Sequence, residues 1–289
     1  MTIDDFGRRI GCSNRNPAML AVLGLDAIER DPLLAARDAV EDIAFAAEKS
    51  TVVSRGDAWT TSNLHSGQFS AACGVCTPGL VDNEGEWMAV CEPTAYLVQL
   101  QRIERAGSVW AARRQDQEFE FFSSKDSWFR PVDVTPGFGA SVLVVDMARA
   151  VIEHPDFMPP ELKTRPDQRD GDQLGRIWQV GRQGRWPQPR ALNSLAQAVR
   201  WLDAQSPWQR RVATQYIFES EDLPLDQLRD LLNQREIRPA AQACAAWVLH
   251  RRGKLTLDDL RTLVSAAHPR LRGLGVRLAG EHSDGRELA

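Results

Sequence analysis

A regular spacing of prolines constrains the last third of the chain more than any other feature of the sequence. Pro207, Pro239 and Pro269 lie 32 and then 30 residues apart. Each stands where a helix is expected to begin, because proline lacks the amide hydrogen that the first helical position leaves unbonded. A period of about 30 residues with two helices per unit is typical of an α-solenoid.

The segments between these prolines fit the same interpretation. Leu225–Leu232 and Leu257–Val264 are amphipathic, and Thr256 followed by Asp259 resembles a capping box with aspartate in place of the usual glutamate. We therefore predict an all-α repeat array over residues 190–289, with an irregular helical bundle as the alternative. Neither interpretation supplies a catalytic group, so we expect this region to be a contact surface for a protein partner.

The pattern between residues 51 and 182 is of a different kind. Short β-prone runs alternate with turn residues and show no helical crossovers, which favours antiparallel sheets in a sandwich or a propeller. The predicted strands are Trp87–Cys91, Tyr96–Arg102, Val109–Ala112, Phe119–Phe122, Ser141–Asp146 and Arg176–Val180. Residues 1–50 are predicted to be an N-terminal segment with a helix over Ala18–Glu48, and Gly181–Pro189 is predicted to be a linker.

Composition weighs against several classes of protein. The chain has 289 residues and a formal net charge of −4, which favours neither a nucleic-acid partner nor a membrane surface. No run approaches the roughly 18 apolar residues of a membrane-spanning helix. Residues 1–9 lack the apolar core of a signal peptide, so the chain as written is expected to be cytoplasmic.

The cysteines leave two interpretations open. There are five, and an odd number argues against a fully paired disulfide framework. Cys73 and Cys76 have CxxC spacing, but no histidine follows, which excludes covalent haem attachment at this motif. No second CxxC is present, so a four-thiolate zinc site is not expected. The pair is either two buried thiols or a redox pair with a local disulfide.

Residues 123–154 hold the densest mixture of polar and aromatic side chains. Arg130 follows two aromatic residues, and its planar fork can hold a carboxylate or the oxygens of a quinone. Asp146 ends an apolar strand, where a carboxylate needs a partner such as Arg130 or Arg149. Glu153 and His154 can act as acid and base. A structural ion pair explains Arg130 and Asp146 equally well, and a histidine before a proline is also typical of a turn.

Several runs in this region resemble a bacterial family. They are similar to the last two blades of the membrane-bound dehydrogenases related to glucose/sorbosone dehydrogenases in planctomycete-type bacteria. The resemblance extends over roughly residues 5–180. The runs that resemble the last blade are Trp128–Val132, Asp146–Pro155, Met158–Leu162 and Gly175–Ile177, and those that resemble the preceding blade are Ser62–Gly74 and Val90–Pro93.

The resemblance implies a partial β-propeller of antiparallel blades followed by HEAT-like helical repeats. It also implies the oxidation of a sugar or alcohol, with pyrroloquinoline quinone as the cofactor and a cytochrome c as the electron acceptor. On this basis Arg130 would contact the cofactor, Asp146 would orient Arg130, and His154 would be the base. Proteins of this family are exported, whereas residues 1–9 of this chain lack the apolar core of a signal peptide.

The departures from the family affect the expected activity. The family's Gly-Pro-Asp-Gly turn is replaced by Pro136–Gly139. The sheet region can supply only two or three blades, where propellers close with about four to eight. We therefore expect the C-terminal part of a dehydrogenase-like protein that is inactive unless a second chain completes the propeller. The alternative is a non-catalytic interaction module built on the helical repeats.

Overall fold

The computed structural model describes residues 1–24, 28–29, 31, 33, 35, 39–44, 51–56, 67–79, 86–107, 109–154, 156, 158–181 and 191–282. Most of the predicted linker, residues 182–189, lies outside the described residues, as do residues 62–66 of the run Ser62–Gly74. The chain divides into a sheet unit, Met1–Thr2 with Arg8–Gln183, and a helical unit, Ile3–Gly7 with Gly184–Ala289. It is thus a mixed protein, with antiparallel sheets followed by helices toward its C-terminal end.

The first sheet has four strands in sequence order. They are β1 (Thr2–Ile3), β2 (Arg9–Ser13), β3 (Asn16–Ala21) and β4 (Val40–Asp42). The predicted helix over Ala18–Glu48 is therefore wrong where it overlaps β3 and β4, and its last residues, 45–48, lie outside the described part of the chain. In the β2–β3 hairpin Ile10 lies opposite Leu20 and both are buried. This pairing outweighs the helical propensity of the alanine and leucine residues.

The second sheet has five strands. They are β5 (Cys73–Cys76), β6 (Glu86–Glu92), β7 (Leu97–Ala106) and β8 (Val109–Arg114), paired in that order, with β9 (Phe122–Ser123) beside β7. Strand β6 is buried on both faces: Met88 and Val90 belong to one apolar cluster, and Ala89 and Cys91 belong to another. The predicted strands at β6, β7 and β8 are confirmed, whereas the run at Phe119–Phe122 is a strand only at its last residue.

The third sheet has three antiparallel strands, β10 (Pro131–Pro136), β11 (Ser141–Asp146) and β12 (Arg176–Gly181). The predicted strands at β11 and β12 are confirmed. A single-turn helix, α1 (Pro160–Lys163), lies in the connection between them. Val142 and Val144 of β11 are fully buried and share a cluster with Ala89 and Cys91 of β6.

Six further helices are described in the helical unit. They are α2 (Leu195–Leu202), α3 (Pro207–Glu219), α4 (Leu225–Asn233), α5 (Pro239–Arg251), α6 (Leu257–Val264) and α7 (Pro269–Glu281). The predicted helix starts at Pro207, Pro239 and Pro269 are confirmed, and so is the capping box of Thr256 with Asp259. Consecutive helices pack in pairs, α2 with α3, α4 with α5 and α6 with α7, and α5 contacts both α3 and α7.

The segment Ile3–Gly7 packs against helices α3, α5 and α7 within the helical unit. The Asp5 carboxylate forms an ion pair with Arg210, which is 8% exposed, and the Asp5 carbonyl accepts a hydrogen bond of 3.1 Å from Trp247 Nε1. The Phe6 ring stacks on His268 with centroids 5.8 Å apart. Arg277 donates to the carbonyl of Gly7 over 3.1 Å. The segment, which makes a turn over residues 4–7, is therefore held by its backbone, its charge and its aromatic ring.

Candidate functional site

Strand register gathers polar residues at one end of the third sheet. Asp146, the last residue of β11, lies opposite Pro131 of β10 on one side and opposite Arg176 of β12 on the other. Arg130 immediately precedes β10, so the two residues predicted as a site and the unpredicted Arg176 meet at the same sheet end. Antiparallel pairing of three strands is enough to bring residues 46 positions apart (130 to 176) into one cluster.

Both oxygens of the Asp146 carboxylate accept hydrogen bonds. It is 1% exposed, and its Oδ1 accepts hydrogen bonds from the backbone N–H groups of Arg130 and Ala148 at 2.8 and 2.9 Å. Its Oδ2 accepts from Arg176 Nε at 2.9 Å and from Trp178 Nε1 at 3.0 Å. Four donors satisfy both oxygens, so this residue organises the sheet end and has little capacity left to accept a proton from a substrate.

Arg130 is also buried and bonded to the backbone. Its guanidinium donates to the carbonyls of Pro93, Arg149 and Ala150 at 3.0, 3.1 and 2.9 Å and lies 4.6 Å from the centre of the Tyr96 ring. The residue is 3% exposed, and burial lowers the pKa of its guanidinium. The fork is buried and bonded to three carbonyls, so the surroundings of Arg130 do not fit the cofactor contact implied by the resemblance.

An open cleft of about 440 Å³ lies next to this cluster. Its lining residues are Asp126, Trp128, Ala148, Leu174, Gly175 and Arg176. The Arg176 side chain is 39% exposed and reaches Asp126 Oδ2 at 3.4 Å, while Asp126 is 48% exposed. The cleft thus offers a half-buried aromatic ring together with a carboxylate and a guanidinium that are accessible from solvent.

The backbone that shapes the cleft adopts an uncommon conformation. Ala148 has a φ of 53°, in the left-handed region that non-glycine residues rarely adopt. Asp146 holds it there by accepting the hydrogen bond of its N–H. Gly171 lies so close that a Cβ added to it would be 2.1 Å from the Ala148 carbonyl oxygen. The wall around Ala148 therefore depends on both the Asp146 carboxylate and the glycine.

His154 and Glu153 have local hydrogen-bond partners. The His154 side chain is 62% exposed, and its Nδ1 accepts from the Asp156 N–H at 3.2 Å. Glu153 Oε1 accepts from the His154 N–H at 2.8 Å. Neither residue lines the cleft beside Arg176. The role of His154 as a base stays a prediction, and its surroundings are those of an exposed turn.

Sequence reasoning missed the residues that line the cleft. Asp126, Trp128 and Arg176 lie in runs that the sequence singles out, yet none was assigned a role. The available signal was the pair of predicted strands ending at Asp146 and beginning at Arg176. Antiparallel neighbours in one sheet place those two residues side by side.

The structure also bears on two general classes of site. Among the described residues, no group of three or more His, Cys, Asp or Glu side chains is arranged to hold a metal ion. In the same part of the chain, no helix is long and apolar enough to cross a membrane.

Comparison with known proteins identifies a family and nothing more specific. No curated protein and no solved structure matches the chain. A family model described as a domain of unknown function, DUF7133, matches residues 1–184, which is more than half of the chain. The protein belongs to this DUF7133 family.

Proposed function

We propose that the sheet unit binds a sugar or sugar alcohol in the cleft beside Arg176 and does not oxidise it without a second chain. The observation that carries this proposal is the contrast between two layers of the site. The inner residues are buried and bonded, with Asp146 accepting four hydrogen bonds and Arg130 donating three, whereas Asp126, Trp128 and Arg176 line an open cleft. Such an arrangement favours recognition over proton transfer.

The chemistry of the cleft matches a polyhydroxylated ligand. The Trp128 ring offers a flat apolar surface to the C–H face of a sugar ring. Asp126 accepts hydrogen bonds from hydroxyl groups, and the outer N–H groups of Arg176 donate to them. The opposite charges of Asp126 and Arg176 favour a neutral ligand over a strongly charged one. The resemblance to sugar and alcohol dehydrogenases points to the same ligand class.

The proposal is tested by titrating the full chain with neutral sugars and sugar alcohols, followed by tryptophan fluorescence and calorimetry. We expect saturable binding with Kd on the order of 1 mM or below and a loss of at least about tenfold for Trp128→Ala, equivalent to about 1.4 kcal/mol. Trp110→Phe is the matched control, because Trp110 does not line the cleft. Absence of binding across the panel would refute the ligand assignment.

Catalysis is tested separately by dye-linked oxidation of the same compounds with added pyrroloquinoline quinone. We expect no turnover from this chain alone, and turnover by the purified chain would refute the second half of the proposal. The quinone, a cytochrome c partner and export from the cytoplasm all rest on the family resemblance, and no step is derived through the quinone.

The finer architecture belongs to the same proposal. We infer that the sheets are blades of a partial propeller, which is supported by their strand order: each of the first two sheets begins as a four-strand meander in sequence order. The paired helices α2 to α7 support a HEAT-like repeat array in the same sense. A second chain that supplies the remaining blades would complete the propeller.

Protein binding by the helical unit is a second candidate function. It is favoured by the way that α3, α5 and α7 hold the segment Ile3–Gly7 through Arg210, Trp247 and Arg277. A surface that binds one segment with an acidic and an aromatic side chain can accept another of the same chemistry. We expect Asp5→Ala, which weakens the internal segment, to bind a peptide of residues 2–8 more tightly than the unchanged chain does. Equal affinity would argue against this function.

A further inference from the structure

Three cysteines lie on one face of the second sheet because of a β-bulge. In a regular strand, residues three positions apart point to opposite faces. The β5–β6 register shifts between Cys73 and Val75, and Gly74 between them has a φ of 52°. As a result, Cys73 and Cys76 both pack in the cluster that contains Cys91, whereas Val75 packs in the cluster on the other side.

The strand register places one pair of these three cysteines at a separation that a disulfide can span. Cys73 lies directly opposite Cys91. Directly opposed residues of an antiparallel pair have Cα atoms about 4.5–5.5 Å apart, which falls within the range of about 4.4–6.8 Å that a disulfide spans. Cys76 lies opposite Ala89 and is therefore diagonal to Cys91, at about 7–8 Å. Cys73 and Cys76 follow one another on the same strand with the bulge between them, and neither lies opposite the other across the β5–β6 pair.

We propose that Cys73 and Cys91 are a redox-active pair that forms a cross-strand disulfide by exchange with a low-molecular-weight disulfide such as oxidised glutathione. All five cysteines lie among the described residues, and none is joined in a disulfide. The CxxC spacing in the sequence is thus incidental, because the partner of Cys73 comes from the neighbouring strand.

The exchange begins at Cys73, which is partly exposed, whereas Cys91 is fully buried. The Cys73 thiol loses its proton to solvent, and its sulfur attacks the external disulfide to form a mixed disulfide and release one thiolate. The Cys91 thiol then loses its proton, and its sulfur attacks Cys73 Sγ and releases the second thiolate. Two protein thiols are oxidised, one external disulfide is reduced, and the two released thiolates take up the two protons.

Burial makes this exchange slow at neutral pH. Burial, followed by the neighbouring Glu92, Cys12 and Asp133, raises the pKa of Cys73 to about 12. Burial, followed by the other three cysteines of the sheet unit and Asp133, raises the pKa of Cys91 well above its usual range. Since only the thiolate attacks, the rate is expected to rise about tenfold per pH unit below those values. The pair therefore behaves as a slow redox site and not as a fast catalytic one.

The Cys73–Cys91 disulfide would lie where the second sheet packs against strand β10 of the third sheet. A Cβ on Gly74 would lie 2.5 Å from the Cα of Asp133 in β10, and Cys73 Sγ lies 3.9 Å from the Pro131 carbonyl oxygen. Closing the loop between Cys73 and Cys91 restricts the unfolded chain. We expect the oxidised protein to melt about 5 °C or more above the reduced one.

The test is to incubate the folded full chain with oxidised glutathione at pH 9, quench with acid, unfold, alkylate and map the cysteines. Cleavage after Glu84 and Glu86 separates Cys91 from the other two, and fragmentation of the linked peptides distinguishes Cys73 from Cys76. We expect a Cys73–Cys91 link, with Cys12, Cys76 and Cys244 alkylated. The same incubation at pH 7 and 8 should show the predicted slope of rate with pH.

Three single cysteine-to-serine variants test the identity of the disulfide in a second way. Cys76→Ser should keep the link and its rise in melting temperature, whereas Cys73→Ser and Cys91→Ser should abolish both. The proposal is overturned by a link from Cys73 to Cys12 or Cys76, by a stable glutathione adduct on Cys73, or by five alkylated cysteines after incubation at pH 9. Because the unchanged chain is mapped first, a variant that fails to fold does not affect the result.

Discussion

Buried polar side chains distinguish the sheet unit from the helical unit. Of the twelve buried polar or charged residues described, nine belong to the sheet unit and three to the helical unit. In the sheet unit Glu92, Arg130, Ser141 and Asp146 bond backbone groups at or near strand ends. Glu92 Oε2, for example, accepts from the N–H groups of Ser70 and Ala71 at 2.9 and 3.0 Å, and Glu92 Oε1 accepts from Thr94 N–H at 3.1 Å.

The difference follows from where each kind of backbone makes its hydrogen bonds. A helix satisfies its N–H and C=O groups within its own segment, so its contacts with neighbours can be almost entirely apolar. Strand ends and connecting loops leave backbone groups unpaired, and a buried side chain has to bond them. A sheet unit of this kind is therefore vulnerable at single carboxylates, whereas a helical unit is vulnerable at its ends and its docked segments.

Asp146→Ala is expected to have the largest effect, confined to the sheet unit. It removes the acceptor of four donors, and losing one partner of a buried charged network costs about 3–5 kcal/mol. Denaturant unfolding followed by tryptophan fluorescence measures the loss. Asp126→Ala is the control, because Asp126 is 48% exposed and should contribute less than about 1 kcal/mol. Equal effects of the two substitutions would contradict the special role of Asp146.

Arg210→Met tests the docked segment of the helical unit. It leaves the Asp5 carboxylate without its ion-pair partner, and we expect a loss of about 3 kcal/mol. The neighbouring Arg211 is exposed, so Arg211→Met is a matched control with an effect within about 0.5 kcal/mol. Circular dichroism at 222 nm during denaturation reports on the helices. If Arg210→Met were as mild as the control, Asp5 would not anchor this segment.

Gly74→Ala tests the bulge that orients the cysteines. Gly74 has a φ of 52°, and an added Cβ would meet β10 at 2.5 Å, so we expect a cost of about 2 kcal/mol from clash and backbone strain together. Gly107→Ala is the control, because Gly107 has a φ of 69° and, beyond its chain neighbours, no atom of the described residues lies within 4 Å of an added Cβ, so only the strain of about 1 kcal/mol applies. Thermal melting of both variants should separate the two costs, and identical melting temperatures would refute the close packing.

Thr256→Ala is expected to have the smallest effect. The Thr256 side chain accepts from the Asp259 N–H, and Asp259 accepts from the Thr256 N–H in return. Loss of such a cap costs about 1 kcal/mol. Thr262→Ala, inside the same helix α6, should change the stability by less than about 0.5 kcal/mol. A loss from Thr256→Ala no larger than about 0.5 kcal/mol, the limit expected for Thr262→Ala, would show that the cap contributes little to stability.

The candidate site was predictable only in part, for a reason visible in Arg130 and Asp146. The sequence placed both in a region dense in polar and aromatic residues, and the structure brings them together. Their side chains do not pair with each other through the guanidinium, because Arg130 donates to three carbonyls and Asp146 takes Arg176 and Trp178 as partners. Which donors reach a buried carboxylate depends on strand register, which a run of residue types does not specify.

The sequence by itself determined the helices that begin at Pro207, Pro239 and Pro269 and the strands β6, β7, β8, β11 and β12, because proline position and hydrophobic period act within one segment. Tertiary structure decided the rest. It turned part of the stretch expected to be helical into β3 and β4, placed the Arg176 cleft beside Asp146, and set Cys73 opposite Cys91 and away from Cys76. Each of these outcomes depends on pairing between distant segments, where one register or one bulge changes every neighbour.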